Sequence, residues 1–149
     1  MSQEERPHPS TTTPWIRAIA VWALLLVIAV LNGAARDALI APQLGERSAH
    51  WVSTVVLCVF IFLVSRASIG WIHPRTTGEA LAVGLLWVLL TVAFEFLAGH
   101  YLFGTPWEKL LADYDVRGGR VWILVLVSNL LAPAWAAATA RSTRSPSTP

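Results

Sequence analysis

The chain has 149 residues, of which 55% are hydrophobic and 13% charged, with a formal net charge of +2. A water-soluble domain carries about twice that share of charge to keep its surface wet, so lipid rather than water is the expected solvent. The eleven basic residues form no run and are interleaved with nine acidic ones, which leaves no footprint for nucleic acid.

Met1 to Pro14 is a polar tail with three prolines and a Ser/Thr run, too poor in apolar area to fold. The first apolar block, Trp15 to Leu31, is extended to about residue 35 by the length needed to cross hydrocarbon. A cleaved signal peptide ending at Gly33-Ala34-Ala35 is the competing reading, but the stretch is long for that role and carries Trp15 and Trp22. The second block, about 51–71, opens at Trp51 and is interrupted by Arg66. Cys58, the only cysteine, lies inside it and reads as a buried thiol with no disulfide partner. The third block, about 79–101, runs from the possible capping pair Thr76 and Glu79 to His100 and Tyr101. The fourth, about 120–138, follows Gly118-Gly119 and contains Asn129 and Pro133. Residues 141–149 form a second polar tail, leaving one membrane domain over 15–140.

The fold expected is therefore all-α, an integral membrane bundle of four transmembrane helices. Two segments opposite the termini, Ala34 to Leu44 and Pro106 to Tyr114, mix apolar and charged residues at helical spacing. Each reads as a short interfacial helix. An even number of spans puts both termini on one side. Six basic residues fall on that side and five on the other, nearly a tie for the positive-inside rule. The acidic residues lean away from the termini, and cytoplasmic termini are the expectation.

Glu95 is the leading candidate for chemistry, because a carboxylate at membrane depth must be paired, protonated or wetted. Gly84, Val88, Thr91, Glu95 and Gly99 form one small-to-polar stripe suited to a helix interface. An ion pair with Arg36, Arg47 or Arg120 is the plain structural account of Glu95, and a ligand or proton site the functional one. His50 and His100 fall at the same end of the bundle, as does Asp113, so that end reads as a polar cap of mixed charge. The spacing of these residues matches no metal motif, and both histidines stand at helix ends rather than at facing haem positions, so no metal or cofactor is expected. Asn129 is the mid-membrane amide, with an interhelical hydrogen bond and a mild kink at Pro133 as its expected role. Arg17 and Arg66 are expected to snorkel to headgroups.

The strings NGAARDALIAPQLGERSAHWVST and GEALAVGLLWVLLTVAFEFLAGHYLFGTPWEKLLADY, followed by GRVWILVL, resemble a group of small bacterial inner-membrane proteins with four helices and no assigned activity. The resemblance spans about residues 30 to 130. It implies a multi-pass protein of the bacterial inner membrane and supplies no catalytic residue. The chain is unlike the small multidrug exporters, which are shorter and carry their essential Glu in the first helix.

No nucleophile, base and orienting group can be assembled from these residues. The leading expectation is a non-enzymatic accessory, scaffold or assembly subunit with a protein partner or a second copy of itself. An oligomeric, proton-coupled carrier using Glu95 is the alternative, and a lipid- or quinone-directed enzyme a third.

Overall fold

A computed structural model describes residues 12–102, 104, 106–112 and 121–143. In chain order the elements are α1 (Thr12–Ala35), a π turn (Arg36–Ile40), α2 (Ala41–Leu44), α3 (Glu46–Ile72) and α4 (Thr77–Leu97). A second π turn (Ala98–Leu102), α5 (Trp107–Ala112) and α6 (Ile123–Ser142) complete them, with no strand among the described residues. Four helical stretches are long and apolar enough to cross a membrane: 31 residues over Pro14–Leu44, 27 over Glu46–Ile72, 26 over Thr77–Leu102 and 20 over Ile123–Ser142. The protein is an all-α, multi-pass membrane bundle whose outer faces meet lipid. Leu24, Val27, Leu31, Leu63 and Leu89 are among the large apolar side chains exposed on those faces.

The segment 34–44 departs from the expected separate interfacial helix. It continues α1 through the π turn, because nothing between Ala35 and Leu44 stops the backbone. Pro42 has no N–H to give the preceding turn, and it stands where the π turn passes into α2. The chain reverses only at Gly45, whose φ of 76° and ψ of 157° suit a residue without Cβ. α3 then starts at Glu46, five residues ahead of the apolar block that marks it in the sequence. At its far end α3 is closed by His73 in the left-handed region, with its N–H on the Ile69 carbonyl at 2.8 Å, and Pro74 bars continuation. Thr76 caps α4 by accepting from the Glu79 N–H at 3.0 Å. The Glu79 carboxylate reaches back to the Arg75 N–H at 2.6 Å, one residue earlier than the usual reciprocal cap. Arg141 and Ser142 belong to α6 rather than to a terminal tail. At the other terminus Thr12–Pro14, expected in the polar tail, form the start of α1, and residues 1–11 and 144–149 lie outside the described residues.

α6 is the most enclosed helix, with 44% of its apolar window buried against 17% for the first span. It packs between α3 and α4. The closest approach is at Gly84, where a Cβ would stand 2.2 Å from the Leu130 carbonyl oxygen and 3.0 Å from that of Asn129. Pro133 has no N–H to give the carbonyl four residues before it, so Asn129's carbonyl is released from the ladder there. Gly84 lets the α4 backbone come up against that stretch of α6. The core between the helices is built from Val21, Leu25, Leu57, Ile61, Trp87 and Val125.

Candidate functional site

α4 carries the small-to-polar stripe into the bundle, and three of its members have identified roles. Gly84 touches α6, as above. About two helical turns further on, Thr91 accepts a hydrogen bond from the Trp22 indole of α1 at 3.1 Å. Glu95, one turn beyond Thr91, accepts from the Trp122 indole at 2.9 Å, just before α6 begins. Trp87, fully buried, donates to the Ala18 carbonyl of α1 at 2.9 Å. Tryptophan is apt for these ties because it fills the seam with ring and offers one donor at its edge. The carboxylate of Glu95 thus receives a neutral N–H donor from a neighbouring helix.

The expected ionic partners of Glu95 fare differently from one another. The Arg36 guanidinium pairs with Asp37 at 2.8 Å and also lies 3.3 Å from His50 Nδ1. Arg47 is exposed on the first turn of α3. Arg120 and Asp113 lie outside the described residues. His50 is therefore held with Arg36, at the α1–α3 corner. Beside it, Asn32 donates to the Ser53 carbonyl at 3.0 Å, a tie between α1 and α3 that the sequence reading passed over.

His100 sits on the second π turn, in an aromatic stack. Its ring lies 4.1 Å from that of Trp107 at 25°, and Tyr101 meets both rings edge-on. Phe96 stacks on the same Trp107 at 6.0 Å. A π turn spends an additional residue on one turn, which rephases everything beyond it by about 100°. That shift carries His100 off the simple α-helical projection from Glu95 and onto α5. The expected polar cap thus comprises two groups among the described residues: Arg36–Asp37–His50 near Gly45, and Glu95–Trp122 with the His100 stack. No set of three or more His, Cys, Asp or Glu that could hold a metal gathers among the described residues.

Asn129 corrects an expectation. It is 4% exposed, yet its side-chain oxygen has no hydrogen-bond partner, so it does not tie two helices by that atom. A small, partly open pocket of about 30 Å³ lies alongside, lined by Trp22, Leu57, Thr91, Trp122 and Asn129 among others. An unsatisfied buried carbonyl of this kind costs about 1–3 kcal/mol. Arg17 has a protein partner. Its guanidinium donates to the Trp71 carbonyl at 2.8 Å and lies over the Trp71 ring at 5.5 Å, closing the end of α3. Arg66 remains exposed on α3.

Comparison of the chain with family models, with curated proteins and with solved structures gives no match.

Proposed function

We propose that this protein is a non-enzymatic accessory or assembly subunit of a bacterial inner membrane, which receives a partner protein at the end of the bundle opposite its termini. The observation that supports this most is the aromatic stack at that end. Tyr101 is 75% exposed, Leu102 74% and Trp107 43%, beside a bundle whose interior is filled by Trp87 and by the contact at Gly84. Rigid aromatic side chains with a polar edge are what protein interfaces use as anchors. Glu95, tied to Trp122, then serves to hold α4 and α6 in register beneath the platform. Termini on the cytoplasmic face accord with the arginines at that end. No role in binding nucleic acid is proposed.

Site-specific photocrosslinking in native membranes tests the reading. A photoreactive residue at Tyr101 or Leu102 should give one discrete protein adduct, and one at Leu89 on the lipid face should give none. Lipid adducts alone at all three positions would overturn it.

A second reading, a proton-coupled carrier acting through Glu95, draws on the pocket beside Thr91 and Asn129, one helical turn from the carboxylate. It requires that reconstituted flux disappear in Glu95→Gln.

A further inference from the structure

The end of the bundle that bears the termini has a charge imbalance of its own. Arg17, Arg66, Arg75 and Arg141 stand there against one described carboxylate, Glu79, which is engaged by the Arg75 backbone N–H. The arginine contacts at this end are to neutral acceptors: Arg17 to the Trp71 carbonyl and Arg141 to the Thr77 hydroxyl at 3.0 Å. The ion pair found among the described residues, Arg36–Asp37, is at the opposite end.

Between α3 and α6 a groove of about 200 Å³ opens at this level. Its lip carries Arg75, Arg141 and His73, and its walls below are Gly70, Ala137 and Ala140. Gly70 faces open space on this wall, since a Cβ there would have no heavy atom within 4 Å. The site is thus cationic at the headgroup level and lined by small apolar residues toward the hydrocarbon.

We propose that this groove holds an anionic glycerophospholipid, with its phosphate between Arg75 and Arg141 and the start of an acyl chain against Gly70 and Ala140. Both halves of the site match that class of ligand. Guanidinium groups engage phosphate oxygens in pairs, and the slot takes methylenes that would otherwise leave a gap at the protein–lipid boundary. A free phosphate ion would use the lip and leave the slot unexplained. The inference is independent of the partner-docking reading, because it concerns the other end of the bundle.

The test uses the full chain in a mild neutral detergent. Retention of phosphatidylglycerol and of phosphatidylcholine with identical acyl chains is compared by native mass spectrometry, with inorganic phosphate as a third probe. At about fivefold per arginine near a lipid surface, phosphatidylglycerol should be favoured roughly 25-fold. The double variant Arg75→Gln/Arg141→Gln should abolish that preference. Gly70→Leu should weaken retention with every cation intact, and Ala140→Leu tests the facing wall should the first variant fold poorly. Arg47→Gln, at the other end, should change nothing. Equal retention of the two lipids, an equal loss in Arg47→Gln, or full retention in folded Gly70→Leu and Ala140→Leu would overturn the proposal. So would complete displacement of the lipid by inorganic phosphate, which would mark a free-anion site.

Discussion

The two ends of the bundle are held together by different kinds of bond. At the terminus end, most of these side chains meet backbone: Arg17 donates to the Trp71 carbonyl, Trp87 donates to the Ala18 carbonyl and Thr76 accepts from the Glu79 N–H, while Arg141 to the Thr77 hydroxyl is a side-chain pair. At the opposite end side-chain pairs predominate: Trp122 with Glu95, Arg36 with Asp37 and His50, His100 with Trp107, with Asn32 to the Ser53 carbonyl the backbone tie among them. A backbone partner is fixed by the helix that carries it, so the first end is the more rigid of the two. The second end depends on rotamers and is the one able to adjust to a partner. One framework half and one adaptable half is a sensible division for a subunit that must be both anchored and recognised.

Substitutions can break this comparison in order of expected effect. Trp87→Ala should be the most damaging, losing about 3–5 kcal/mol through the cavity and the lost tie to Ala18, read as a fall in the thermal midpoint in detergent. Gly84→Val should follow at about 1–3 kcal/mol or more, since its Cβ has the Leu130 carbonyl in its way and α6 must move. Trp122→Phe takes one donor from Glu95 and should cost about 1–2 kcal/mol, while Glu95→Gln keeps an acceptor and should cost less. If Glu95→Gln proved as harmful as Trp87→Ala, the adaptable end would be the framework and the comparison would be reversed. Asn129→Leu should be neutral or stabilising by up to about 1 kcal/mol, because it removes an unsatisfied oxygen beside a small pocket. The smallest effect belongs to Tyr101→Ala, which should leave the thermal midpoint within about 0.5 kcal/mol of unchanged while removing the crosslinked adduct.

The four spans were legible because lipid demands uninterrupted apolar length, and that demand is written directly in the sequence. Their ends were less so. The polar pair Arg36-Asp37 lowers hydropathy enough to look like a loop, yet the two side chains satisfy each other and the helix passes on to Gly45. The start of α3 is hidden for the same reason by Glu46, Arg47 and His50. The stripe on α4 was legible from spacing alone, and Gly84, Thr91 and Glu95 do face neighbouring helices. Their partners were not. Trp22, Trp87 and Trp122 carry no mark of their partners in the sequence, and which carbonyl, hydroxyl or carboxylate each indole meets is decided by how the helices cross. Asn129 departs from expectation at its oxygen: a buried amide is expected to be fully paired, whereas here Gly84 and Pro133 set the α4–α6 contact and Oδ1 has no donor among the described residues.

The unequal lengths of the spans carry a consequence for the bilayer around them. At about 1.5 Å per residue, the 31-residue first span is roughly 46 Å long, and the 20-residue α6 about 30 Å, the thickness of the hydrocarbon layer itself. The innermost helix therefore has no spare length, while the outer ones overrun by a turn or more. A thicker membrane would be felt first at α6 and would have to thin locally around it, whereas the longer helices could simply tilt upright. The protein's preferred membrane thickness is accordingly set by its shortest and best-buried helix.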